Sequence, residues 1–126
     1  DAVKAMTDVT GFGLLGHLIE MCEGAGLSAE LEYEKVPLIA GLEHYLGIFI
    51  YPDMTMRNFQ SYGAKVSTLT GPQLFTLCDP QTSGGLLIAI EPEGRQELFA
   101  LCEQSGTELY PIGKMLKKGE KTVVVR

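Results

Sequence analysis

The sequence predicts an α+β fold in which a mixed sheet is packed with helices. Three observations carry that expectation. Leu14, Leu15, Leu18, Ile19 and Cys22 recur at three- and four-residue spacing, the period of an amphipathic helix. Leu27 to Tyr33 alternates apolar and polar residues, the period of a half-buried strand. Leu86-Leu87-Ile88-Ala89-Ile90 is an apolar run too short for a core helix and reads as a central strand.

Taken in chain order, Asp1 to Met6 reads as the middle of a helix, so the chain is expected to be a fragment. The helix Phe12 to Glu23 follows, with Glu20 and Glu23 on its polar side. Gly24-Ala25-Gly26 stops it with glycines suited to a left-handed turn. Burying its five apolar side chains contributes roughly 8–15 kcal/mol as an upper bound before entropy, enough to hold the preceding loop in place. Val36-Pro37 opens a connection, and helical spacing resumes from Leu38 to Leu46 until Tyr51-Pro52-Asp53 breaks it. Met54 to Tyr62 suits a short helix or turn carrying Arg57 and Asn58. Thr68 to Cys78 is ambiguous: Gly71-Pro72 forbids a continuous strand, while Leu74 to Cys78 suits a helical turn.

A polar, glycine-rich loop, Asp79 to Gly85, feeds the apolar strand. Pro92 starts the next helix, for which Leu98, Leu101 and Cys102 form the expected buried stripe and Gly106 the end. Glu108 to Tyr110 and Thr122 to Val125 read as strands separated by a Gly113-to-Gly119 turn region. Strands and helices thus alternate around one sheet.

At 126 residues the chain is one domain, and its 45% hydrophobic and 21% charged content suits a globular fold. No apolar run approaches the ~20 residues of a membrane helix, and no secretory signal opens the sequence. The net charge of −6 argues against nucleic acid, which needs clustered Lys and Arg. The one basic cluster, Lys114, Lys117, Lys118 and Lys121, reads as a solvated turn and strand edge. Cys22, Cys78 and Cys102 are odd in number and lack C-x-x-C spacing, which fits neither a zinc framework nor a disulfide scaffold. Cys22 and Cys102 read as small hydrophobes on apolar helix faces, and His17 and His44 as surface or packed residues. A reducing cytoplasm is the expected setting.

The chemistry concentrates in Thr7-Asp8-Val9-Thr10-Gly11-Phe12-Gly13-Leu14-Leu15-Gly16-His17. A carboxylate and two hydroxyls stand before a glycine-rich turn that opens into a helix, whose free N–H groups suit an anion. Asp8 would repel a bare phosphate. It would not repel one bridged by a divalent cation, since Mg²⁺ is bound by one or two carboxylates plus phosphate oxygens. The alternative is structural: Asp8 or Thr10 caps the helix for about 1 kcal/mol, and Gly11 and Gly13 supply turn geometry. In the second loop, Thr82-Ser83-Gly84-Gly85 precedes a strand and lacks the following lysine of a Walker-type cradle. It reads as a tight turn, or as a place where Gly84 and Gly85 let a backbone or ligand approach the sheet.

Together, T-D-V-T-G-F-G-L-L-G-H at Thr7 to His17 and D-P-Q-T-S-G-G-L-L at Asp79 to Leu87 resemble one family. They are similar to the C-terminal domain of selenophosphate synthetase, also called selenide, water dikinase. It belongs to the ATP-binding superfamily of aminoimidazole ribonucleotide synthetase. The likeness extends to Val36-Pro37, Thr55, Arg57-Asn58, Tyr62-Gly63 and Ile112-Gly113; Asp53-Met54 departs from it, where the family often has two glycines.

The resemblance implies a fold like the C-terminal domain of that synthetase, and a reaction giving selenophosphate, AMP and orthophosphate from ATP, selenide and water, with Mg²⁺. It implies Asp8 as a metal ligand at a domain junction, with Thr10 and Gly11 in supporting roles near the phosphates. It also implies that residues 1–126 are one domain of a two-domain enzyme. The catalytic cysteine or selenocysteine, the essential lysine and the other metal-binding aspartates lie in the absent N-terminal domain. No catalytic residue is therefore expected here, none of the three cysteines is the nucleophile, and the fragment alone is inactive. Dimerisation is expected mainly through the N-terminal domains, making the full enzyme a homodimer. Other ATP-dependent enzymes of the superfamily, or a non-catalytic binding module, are the alternatives.

Overall fold

The strand β1 (Val3–Asp8) pairs antiparallel with β3 (Leu86–Ile90), from Val3 opposite Ile90 to Asp8 opposite Leu86, with an irregularity between Val3 and Ala5. The computed structural model describes residues 2–126. A second, three-stranded sheet is centred on β2 (Leu27–Leu31). It runs antiparallel to β4 (Gly113–Lys117) and parallel to β5 (Val123–Val125), which makes that sheet mixed. The expected single sheet is thus two. Between them runs α1 (Gly13–Ala25), which touches β2, β3 and β5.

Helix α1 carries the core. Its apolar stripe is buried as the spacing requires, together with Val9, Ala29, Leu31, Val66, Leu77, Leu87 and Val123. Burial runs unbroken from Gly13 to Ile19, so the first half of the helix is covered all round and only the second half is amphipathic. Gly26 ends it in the left-handed region at φ 67°, as the glycines suggested.

The intervening helices are α2 (Leu42–Gly47), α3 (Asp53–Tyr62) and α4 (Gly71–Leu77). The ambiguous Thr68-to-Cys78 stretch resolves as α4 because Thr70 and Gln73 form a reciprocal capping box and Pro72 sits in the first turn. Helix α2 starts later than its spacing suggested, leaving Leu38 and Ile39 outside it and exposed.

Several expectations are corrected. Val3 to Met6 is strand, not helix, and Ala2 precedes it outside any element; Asp1 lies outside the described residues. Six residues carry too little periodicity to decide, and the partner strand some 80 positions away does. β3 is not central: among the described residues it pairs only with β1, and Leu86 is exposed. The Gly113-to-Gly119 turn contains β4, whose lysines face solvent while Met115 packs on the core, whereas Glu108 to Tyr110 forms no strand. After Pro92, a short 3-10 turn leads into α5 (Arg95–Gln104), which buries no residue; its stripe Leu98, Leu101 and Cys102 is only half-covered or exposed. Among the described residues, no helix is long and apolar enough to cross a membrane.

Candidate functional site

The two glycine-rich motifs, which start 72 positions apart at Thr7 and Asp79, meet at one end of the β1–β3 ladder. Asp8 is the last residue of β1, exposed and opposite Leu86, the first of β3. Beyond it the ladder continues through the loops: Val9 donates its N–H to the Gly85 carbonyl at 2.9 Å, and Gln81 donates to the Thr10 carbonyl at 3.1 Å. Gly84 packs so tightly that a Cβ there would fall on the Val9 carbonyl oxygen. That bears out the close backbone approach expected of the second loop, at Gly84 and not at Gly85, where a Cβ would meet open space.

Gly13 performs the matching role on the first loop. Its φ is +72°, and a Cβ would lie 2.9 Å from backbone atoms of Leu77, Cys78 and Asp79. The end of α4 therefore abuts the start of α1 backbone to backbone. Gly11, in contrast, is neither left-handed nor crowded.

Three buried side chains fasten the loop between Asp8 and α1. The Asn58 amide donates to the Gly11 carbonyl at 2.8 Å and the Cys78 carbonyl at 3.0 Å, bridging the first loop to the end of α4. The Tyr62 hydroxyl donates to the Phe12 carbonyl at 2.6 Å. His17 Nε2 accepts the Thr10 N–H at 3.1 Å and also contacts the Thr10 hydroxyl. An Nε2 that accepts carries no proton, so in a neutral ring the proton is on Nδ1. Glu20 Oε2 stands 3.2 Å from Nδ1, outside hydrogen-bond geometry.

Burial pushes the Tyr62 phenol pKa up, so it stays a donor; burial likewise raises the Cys22 and Cys78 thiols. A raised thiol is a poor nucleophile at neutral pH, in keeping with the expected structural role of Cys22. Asp79, half-buried beside the same junction, has its pKa raised by desolvation.

Neither Asp8 nor Thr10 caps α1. Phe12 occupies the N-cap and no side chain bonds there. The capping alternative therefore fails. The Asp8 carboxylate makes no hydrogen bond or ion pair among the described residues, and its main-chain oxygen accepts from the Thr7 hydroxyl. Thr10 is half-buried with its hydroxyl against His17, and Gly11 is exposed with its carbonyl held by Asn58. Met6 and Leu86, 59% and 63% exposed, share the Asp8 face of the ladder.

Among the described residues, no three His, Cys, Asp or Glu side chains gather as a metal centre. The Asp8 carboxylate fits the hard oxygen chemistry of Mg²⁺, as one carboxylate of the one or two such a site uses. His17, expected as a surface or packed residue, is packed, while Asn58 and Tyr62 carry no role assigned from sequence. The signal was present on α3: Thr55, Asn58 and Tyr62 lie at helical spacing on its buried face, and two of the three are strongly polar.

The chain is similar to known proteins over nearly its whole length. The chain is 53% identical over 125 residues to a selenide, water dikinase of Pseudomonas putida, covering 99% of this chain and 36% of that protein. The proteins of the same name from Bordetella bronchiseptica and Haemophilus influenzae are 54% and 51% identical, over 98% and 99% of this chain. The chain spans about a third of the length of these curated relatives, 36% of each. Residues 1–126 match the family described as AIR synthase related protein, C-terminal domain, and the chain belongs to that family.

Proposed function

We propose that this chain is the C-terminal domain of a two-domain selenide, water dikinase, which forms selenophosphate, AMP and orthophosphate from ATP, selenide and water. The carrying observation is the match, at about half identity over nearly the whole chain, to proteins of that name. The motif junction supports it physically. An unengaged carboxylate stands at the rim of a loop fixed by buried hydrogen bonds, beside the first turn of α1, whose leading amides lack helical partners.

Within that reading, Asp8 holds Mg²⁺ against the polyphosphate. The cation, when bound, neutralises charge on the transferring phosphoryl group. Thr10 and Gly11, between Asp8 and the first turn of α1, take a supporting role near the phosphates. The remaining metal ligands and the selenium-handling nucleophile come from the N-terminal domain. The fragment alone is then inactive, and the full enzyme is a cytoplasmic homodimer. The open apolar face formed by Met6 and Leu86 beside Asp8 suits cover by that domain.

The test is phosphorus NMR of the full-length protein with ATP, Mg²⁺ and selenide, beside its Asp8→Asn variant. The full-length protein is expected to yield selenophosphate and AMP. The variant should lose both while its melting temperature stays within a few degrees, because the side chain makes no contact that folding uses. Absence of selenophosphate from the parent overturns the assignment. Equal product from both leaves the enzyme but removes Asp8 from the metal.

A further inference from the structure

We infer that Asn58 is a positioning residue: it fixes the course of the Asp8-to-Gly13 loop relative to the Asp79-to-Gly85 loop and so sets where the Asp8 carboxylate stands. The inference rests on the metal-nucleotide reading of Asp8. Asn58 is 3% exposed, and its one amide nitrogen donates to two carbonyls from different elements, Gly11 at 2.8 Å and Cys78 at 3.0 Å. Gly11 lies three residues after Asp8, and Cys78 directly precedes Asp79. One side chain thus holds both motifs.

The neighbouring contacts explain why Asn58 has leverage. Tyr62, one turn further along α3, donates to Phe12, so α3 grips two successive carbonyls of the first loop. The direct loop-to-loop bonds, Val9 to the Gly85 carbonyl and Gln81 to the Thr10 carbonyl, end at the Thr10–Gly11 peptide, and the next two carbonyls, of Gly11 and Phe12, are held by α3. Without Asn58, the Gly11 carbonyl loses the side-chain donor that holds it. The Cys78 carbonyl, near the packed end of α4, is left buried without its side-chain partner. The loop can then shift while the core beneath it stays in place. A group that orients a metal ligand in this manner typically alters metal affinity or activity by 10- to 100-fold when changed.

The experiment uses the full-length protein and measures Mg-ATP and metal-free ATP affinities by calorimetry, with a circular-dichroism melt of each variant. Asn58→Leu removes both donors at similar volume. It is expected to weaken Mg-ATP roughly tenfold or more. Metal-free ATP, which does not use Asp8, should change by less than about twofold, a split that general loosening would not give. In an Asp8→Asn background the same substitution should add little, because the carboxylate it positions is gone.

If Asn58→Leu fails to fold, Asn58→Asp provides the second readout. Only its protonated carboxyl can donate to a carbonyl, so Mg-ATP affinity should recover as pH falls, a trend absent from the parent protein. Unchanged Mg-ATP affinity in a folded Asn58→Leu protein overturns the proposal, as does a loss equally large with and without Asp8. So does an Asn58→Asp protein with the parent's pH profile. A parent that binds ATP identically with and without Mg²⁺ overturns the underlying metal reading instead, and this inference with it.

Discussion

Helices α1 and α5 look alike in sequence and unlike in the fold. Each carries an apolar stripe ending in a cysteine: Leu14, Leu15, Leu18, Ile19 and Cys22 on one, Leu98, Leu101 and Cys102 on the other. The first is buried between two sheets, with Leu15 and Cys22 fully inaccessible. The second buries nothing, and Leu101 is 59% exposed. Periodicity reports that a helix has an apolar face; it does not report whether the same chain supplies the cover. For α1 the cover exists because both sheets and the ends of α3 and α4 converge on it.

The largest expected effect tests that contrast directly. Leu15→Ala should destabilise the full-length protein by roughly 2–5 kcal/mol, since the cavity lies in a core that relaxes little. Leu101→Ala should change stability by no more than about 0.5 kcal/mol. Paired denaturant melts measure both. Equal losses would break the comparison and mean that α5 is covered in the intact protein by a surface this chain does not provide.

The next effect sharpens the comparison by asking what makes the α1 end of the molecule rigid. Gly13→Ala would place a methyl against three backbone positions, Leu77, Cys78 and Asp79, at a residue already in the left-handed region. Strain and overpacking together should cost roughly 3 kcal/mol. The neighbouring Gly11→Ala, where nothing crowds the new methyl, should be nearly neutral in the same melt. Comparable losses at the two positions would show that loop freedom, not the meeting of α4 with α1, is what the glycines supply.

Much of this was legible in the sequence where one element decides its own state. The α1 stripe and its glycine stop formed as their patterns required, while the two strands formed with changes: β2 stops at Leu31, short of Tyr33, and β3 is not central. What failed was set by partners distant in sequence. Val3 to Met6 is strand because β3 pairs with it, and the lysine-rich Gly113-to-Lys117 segment is strand because β2 does. At the candidate site, the two motifs were visible but their meeting was not. Nothing in either loop announces that Asn58, from a third element, ties them together. The capping reading of Asp8 failed for a related reason: the chain turns at Gly11 and Phe12, which puts Phe12 at the helix end.

The smallest effect concerns the charge beside that junction. Asp79 is half-buried, and desolvation raises its pKa above the unfolded value, so at neutral pH its ionised form opposes folding. The sign follows: the folded state binds the proton more tightly, so this contribution favours folding below the unfolded carboxylate pKa and is lost as pH rises through the folded one. Asp79→Asn removes the charge at similar size. It should raise the melting temperature of the full-length protein slightly at pH 7, and the gain should vanish in acid, where the native carboxyl is already protonated. α5 provides the contrast, since its acidic Glu97 and Glu103 are exposed. A loss of stability in Asp79→Asn at pH 7 would mean that the carboxylate is held by a favourable partner in the intact protein. The α1 end of this domain would then be a place where charge is held in place, not merely tolerated beside a packed backbone.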